Sequence, residues 1–128
     1  MLPVSDTSSM IAGMNPCRVP GRWVFRSVAE TDLPRLLPSA LAVFREAEGV
    51  SVLVPAQDDE RAMAQITLKV FSSLEGVGLT AAVSAALAEA GIACNVIAAT
   101  QHDHIFVPED RADEALALLK ARAEEEAA

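Results

Sequence analysis

A chain of 128 residues with 52% apolar and 22% charged side chains has the composition of a folded globular protein. Its length suits one ordinary domain or two very small ones sharing a core. The net charge of −8 argues against a protein that grips a nucleic-acid backbone, which needs clustered Lys and Arg; here those residues are scattered. Cys17 and Cys94 are too few for a disulfide framework, and no stretch approaches the ~20 apolar residues of a membrane span. Met1 to Pro16 lacks the basic start and sustained apolar core of a secretory signal. The chain is expected to be cytoplasmic, with neither nucleic acid nor membrane as partner.

In chain order, residues 1–20 carry Pro3, Gly13, Pro16, Pro20 and several Ser and Thr, and read as an irregular lead-in. Trp23 to Val28 alternates as a half-buried strand does, with Trp23, Phe25 and Ser27 on one face. Pro38 suits the first turn of a helix reaching about Glu48. That helix would turn Leu41, Phe44 and Ala47 to the core and stop at Gly49. Val50 to Val54 is a short strand ended by Pro55, and Ala56 to Ala64 a connector. Gln65 to Phe71 is the next strand. A turn from Ser72 to Gly78 follows, then a helix to about Ala90 with Leu79, Val83, Ala86, Leu87 and Ala90 inward and Gly91 as its cap. Ile92 to Thr100 is apolar on both faces apart from Asn95, the pattern of a central strand, with Cys94 as a small core residue. Gln101-His102-Asp103 turns a hairpin into His104 to Val107. Pro108-Glu109-Asp110 opens a last helix, with Asp110 as N-cap and Ala115, Leu116, Leu118 and Leu119 inward. Glu124-Glu125-Glu126 reads as a solvated, frayed helix end.

Two parts of this pattern recur 42 residues apart. Trp23 to Val28 aligns with Gln65 to Val70, and Glu46-Ala47-Glu48-Gly49-Val50 with Ala88-Glu89-Ala90-Gly91-Ile92. A strand–helix–strand unit cannot bury its apolar face alone, so two copies are expected to share a sheet or pack side by side.

From residue 65 to 122 the order is strand, helix, strand, strand, helix. With Ser72-Ser73-Leu74-Glu75-Gly76-Val77-Gly78-Leu79, Ala90-Gly91-Ile92-Ala93-Cys94-Asn95-Val96-Ile97 and Gln101 to Pro108, it resembles the ACT domain, a ferredoxin-like module of amino-acid-sensing regulators. The resemblance extends to small stand-alone bacterial tandem-ACT proteins and to aspartate-kinase regulatory domains. It implies an α+β fold: a ferredoxin-like tandem of antiparallel sheets with helices packed on one face. The division expected is 1–20 lead-in, 21–64 diverged first half, 65–122 second domain and 123–128 acidic tail. No strand follows the last helix, so strands of the first copy are expected to complete the sheet.

Two places draw a ligand reading. In the turn Ser72-Ser73-Leu74-Glu75-Gly76-Val77-Gly78-Leu79-Thr80, glycines let the backbone approach an anion, and the first amides of the next helix lack intrahelical partners. An ordinary tight turn explains the same glycines. Asn95 interrupts an apolar strand, and a buried amide needs partners. The resemblance implies that Asn95 bonds an effector amino acid while Val96 and Ile97 hold its charged groups; local backbone could satisfy it equally. Glu75 would favour a cationic effector, or is simply an exposed acid in a first helical turn. His102-Asp103-His104 has no third ligand placed nearby, so no metal is expected. No nucleophile elbow or phosphate-binding loop occurs, and no cofactor is called for.

The expectation is a small regulatory protein, not an enzyme, that binds a free amino acid or similar zwitterion at a module interface, as a homodimer or within one chain. Two rival classes are an assembly module without a small ligand, marked by exposed apolar surface, and an enzyme using His102, Asp103 or His104, marked by perturbed titration inside a cleft.

Overall fold

The computed structural model describes residues 1–128. Its elements are α1 (Thr7–Ala12), β1 (Pro16–Val28), α2 (Leu33–Leu36), β2 (Ala42–Glu46), β3 (Gly49–Pro55), β4 (Met63–Leu68), α3 (Leu79–Glu89), β5 (Asn95–Ala98), β6 (Asp103–Pro108) and α4 (Ala112–Ala127). The six strands form one antiparallel sheet in the order β2-β3-β1-β4-β6-β5.

That order is two mirror-related halves. In each, the first strand lies inside, the third beside it and the second at the outer edge. A ferredoxin-like unit has a fourth strand as well, and neither half has one. β1 and β4 supply it to each other, pairing Pro16 with Leu68, Cys17 with Thr67, Arg18 with Ile66 and Val19 with Gln65. This is how the strand missing after the last helix is made good.

β1 serves two partners in succession. Pro16 to Val19 pairs with β4, Trp23 to Val28 pairs with β3, and the β4 register shifts between Val19 and Trp23. Gly21 sits in that irregularity at φ 128°, where a Cβ would lie 2.8 Å from the Trp23 ring nitrogen, so glycine is required there. Arg22 clasps the bend from outside, bonding Glu109 through Nε and Nη2 (2.8 and 2.9 Å) and the carbonyls of Gln57 (3.1 Å) and Glu60 (2.9 Å).

The helices lie on one face. Met10, Ile11 and Met14 from the α1 region, Leu79, Val83 and Leu87 from α3, and Ala112, Ala115 and Leu119 from α4 bury Ala64, Ile66, Leu68, Ile105 and Val107 of the sheet. Burying each large side chain contributes about 1.5–3 kcal/mol. A smaller cluster of Leu33, Val50, Val52 and Val54 sits under α2. No helix is long and apolar enough to cross a membrane.

Several expectations need correction. Residues 1–20 are not an irregular lead-in: Asp6 caps α1 by accepting from the Ser9 amide at 2.9 Å, and Met10 and Met14 are fully buried. Residues 42–46 form a strand where a helix was expected, because Pro34 and Pro38 limit the preceding segment to short helical turns. A hairpin around Ala47-Glu48 then pairs β2 with β3. Alternation turns Val43 onto the α2 cluster and leaves Phe44 72% exposed. Topologically β2 corresponds to β5 and β3 to β6, so the repeat matched the first strands correctly but set β3 against β5. β5 is an edge strand, not a central one. Asp110 lies in a 3-10 turn and makes no capping bond to α4. The acidic end is not frayed: α4 continues to Ala127, and Glu126 bonds Arg122 (3.0 Å) and the Ser8 hydroxyl (2.7 Å).

Because α1 is core rather than leader, Met14→Ala should destabilise the protein by about 2–5 kcal/mol, read as a lower midpoint in chemical denaturation. A loss within a few tenths of a kcal/mol would return the N-terminal segment to a loose lead-in.

Candidate functional site

The turn between β4 and α3 is positioned by the N-terminal segment, by α1 and by bonds of its own. The N-terminal segment pairs with it, the Val4 amide donating to Phe71 O (2.7 Å) and the Ser73 amide to Val4 O (2.7 Å). Thr7 Oγ1 donates to Val77 O (2.5 Å). Within the turn, the Gly76 amide donates to Ser73 O (3.0 Å) and the Glu75 amide to Ser73 Oγ (3.1 Å). The glycines let α1 approach: a Cβ on Gly78, which has φ 110°, would stand 2.5 Å from Thr7 Cγ2, and one on Gly76 would stand 2.8 Å from Met10 Sδ. The sequence suggested room for an anion, and the structure adds a packing reason for the same two glycines.

Beside the turn lies a pocket of about 110 Å³ lined by Met10, Ser72, Ser73, Leu74, Gly76, Gly78, Leu79, Thr80, Ala98 and Asp103. α3 opens without a side-chain cap, and the amides of Leu79, Thr80 and Ala81 have no acceptor in the chain. Such amides, with the positive end of the helix dipole, favour a carboxylate or other anion.

Asp103, the first residue of β6, is the residue sequence reasoning missed as a ligand-binding group. It is 7% exposed, lines the pocket and makes no side-chain hydrogen bond. Alternation puts it on the helix-covered face with Ile105 and Val107. Burial raises its carboxyl above the ordinary 3.8, against the opposing pull of His104 and His102. Ser72 is also buried there, its hydroxyl without a partner in the chain. A polar residue at a strand start preceded by an apolar strand was the available signal; the hairpin-turn reading absorbed it.

Asn95, Val96 and Ile97 line no part of this pocket. Asn95 is exposed on the edge strand and its amide reaches only Met63 Sδ, at 3.7 Å. Val96 packs against the core, and Ile97 faces the opposite side of the sheet with His104. Glu75 and Val77 are exposed. Ser72, Ser73, Leu74, Gly76, Gly78, Leu79 and Thr80 are therefore brought together, with Asp103 added and Asn95 apart.

The His102-Asp103-His104 triplet does not converge either. His104 lies on the sheet face opposite Asp103, bonded to Thr67 Oγ1 (2.9 Å) and Gln65 Nε2 (3.3 Å) through Nδ1. Burial lowers its pKa, and the His102 charge adds to that. His102 approaches Val70 O at 3.3 Å. Cys94 is half-buried, and burial raises its thiol pKa, the opposite of what a reactive thiolate needs.

Comparison with known proteins places this geometry. ACT domain models match residues 3–72 and residues 64–121. No curated protein matches significantly. Among solved structures, the chain is similar to VC0802 of Vibrio cholerae, a protein of unknown function described as a "possible transport protein". The identity is 41%, over 88% of this chain and 92% of that one, with a TM-score of 0.76. The fold is shared at 15% identity with Atu0741 of Agrobacterium tumefaciens (85% and 88% covered, TM-score 0.65). It is shared at 14% identity with aspartokinase alpha and beta subunits (84% and 96% covered, TM-score 0.62). ACT domains are in general regulatory, small-molecule-binding modules. With matches to both halves and a relative at 41% identity along most of its length, this chain belongs to the ACT domain family.

Proposed function

We propose that this protein binds a free amino acid or similar small zwitterion in the pocket between the Ser72–Thr80 turn, α1 and Asp103, and that its role is regulatory. One observation carries the reading. A carboxylate that opens into the pocket from a largely buried residue, Asp103, and has no partner in the chain lines the same space as the uncapped start of a helix. The two ends of a zwitterion match that pair, its carboxylate on the α3 amides and its ammonium on Asp103. A single ionic group of either sign would leave half the arrangement unused.

The mechanism is a population shift. α1 contributes Met10 to the pocket wall and holds the turn through Thr7 and Val77 O, and it is tied to α4 through Ser8 and Glu126. A ligand that favours one seating of α1 over another transmits its presence to the helical face. For the homodimer, the outer edge of β5 is unpaired, and pairing two copies there would bring Asn95 to their seam. The same open edge favours the second reading, an assembly module without a ligand.

A thermal-shift screen against the twenty amino acids tests this. A binder present at ~100 times its dissociation constant should stabilise the native protein by about 2.7 kcal/mol, and Asp103→Asn should abolish that shift. No shift from any amino acid, together with concentration-dependent self-association in sedimentation, would give preference to the assembly reading.

Asp103 also sets a stability signature in the unliganded protein. Its folded pKa is raised from 3.8, so the native state holds this proton to higher pH than the unfolded chain. Its contribution is most favourable below 3.8 and is lost as pH rises through the folded pKa. Asp103→Asn should therefore melt higher than the parent near neutrality, with the gap closing on acidification. A variant that melts lower than the parent at neutral pH would mean that the carboxylate has a structural partner.

A further inference from the structure

The sheet face turned away from the helices carries side chains that a solvent-facing surface does not bury. Gln65, Thr67, Leu53 and Phe106 are all under 9% exposed, although no helix covers them. The sheet coils enough to bring its two ends to one cavity. Leu41 and Ala42, at the β2 end, share a pocket of about 110 Å³ with Ile97 and His104 at the β5 end. An adjoining apolar cavity of about 210 Å³ runs on to Phe25 and Phe44. Ala42, Leu53 and Ile97 line both, and the edge-on pair of Phe25 and Phe106, with centroids 6.1 Å apart, stands where they meet. Together the two spaces approach the lower end of the ~300–1,000 Å³ range typical of small-molecule sites.

The polar end has a definite hydrogen-bond vacancy. Gln65 Nε2 reaches Thr67 Oγ1 (3.1 Å) and His104 Nδ1 (3.3 Å), and Thr67 Oγ1 lies 2.9 Å from the same Nδ1. Every polar hydrogen between them finds an acceptor when the Gln65 amide donates to Thr67 Oγ1 and the Thr67 hydroxyl donates to the single lone pair of Nδ1, which puts the ring proton on Nε2. Two groups then have no partner in the chain: the His104 Nε2–H, a donor, and the Gln65 side-chain oxygen, an acceptor. Burial lowers the pKa of this imidazole below the ordinary 6.5, and no other titratable side chain lines either cavity.

We propose that this groove is a second ligand site, separate from the turn pocket, for a small uncharged molecule. Its head both accepts and donates a hydrogen bond, as a primary carboxamide does, and its tail is aromatic or branched aliphatic. The head meets His104 and Gln65, and the tail lies along Leu53 and Ile97 toward Phe25. A zwitterion is excluded here, because neither charge would find a counter-charge.

The test is an NMR titration of the full chain with benzamide, with benzoate as the charged isostere. Benzamide should shift the Gln65 side-chain amide, the His104 ring and the Phe25 ring, and bind at least about tenfold tighter than benzoate. His104→Phe should weaken binding by about tenfold or more, since it removes the donor. Ile97→Phe, a change on an exposed-edge strand that fills the shared wall, should block binding while the protein still melts cooperatively. Asp103→Asn should leave benzamide binding unchanged. Equal binding of benzoate, or shifts confined to the Ser72–Thr80 turn, would overturn the proposal. Phe25 and Phe44 signals that move with protein concentration and not with benzamide would assign the groove to a second copy of the chain, and overturn it too.

Discussion

The pairing of β1 with β4 is the constraint on which the rest of this molecule depends. Each half of the chain is a strand–helix–strand–strand unit whose first strand would otherwise expose a row of unpaired backbone amides and carbonyls, at a cost comparable to a lost hydrogen bond for each buried group. Antiparallel pairing of the two first strands satisfies both halves at once and converts two incomplete sheets into one of six strands. β1 can do this only by bending, since it pairs with β4 at its beginning and with β3 at its end. Gly21 and the Arg22–Glu109 clasp sit at that bend. The clasp is half-exposed, so its contribution lies in fixing geometry more than in raw energy.

The two faces of the resulting sheet then diverge. The helix-covered face is packed by α1, α3 and α4 in one continuous cluster, and the turn pocket is the place where that packing stops short of Asp103. The bare face is closed by curvature instead of by a layer. Its polar residues, Gln65, Thr67 and His104, answer one another, whereas Asp103, one residue from His104, answers nothing in the chain. Strand alternation alone separates these neighbours onto opposite faces. That separation is why His102, Asp103 and His104 do not act as a cluster despite their adjacency in sequence.

Asp103 carries a carboxylate that burial disfavours in its charged form and that no group of the chain bonds, a destabilising feature. The surrounding core tolerates it. Leu79, Val83 and Leu87 recur on one side of α3 and are all buried, so the helix whose first turn faces the pocket is anchored along its length. The free amides of α3 and the core-anchored α1, whose Met10 lines the pocket, face each other across it.

Sequence determined the parts of this protein that local periodicity governs. The strand at Gln65 to Leu68, the helix ending at Gly91, the β6 hairpin and the final helix were legible from alternation, helical spacing and a glycine stop. The family followed from the residues of the second half. Where contacts distant in sequence decide, local pattern failed. Leu41, Phe44 and Ala47 have helical spacing, yet β3 offered that segment a strand partner. Residues 1–20 are rich in helix breakers, yet Met10 and Met14 find the gap between α3, α4 and the sheet. Asn95 looked buried because its strand is apolar, yet only sheet order reveals that β5 is an edge. Asp103 looked like a turn residue, because burial without a partner is a property of the space around a side chain. Periodicity is written in neighbours along the chain; the pairing of β1 with β4, the coil of the sheet and the two pockets arise from segments that meet only after folding.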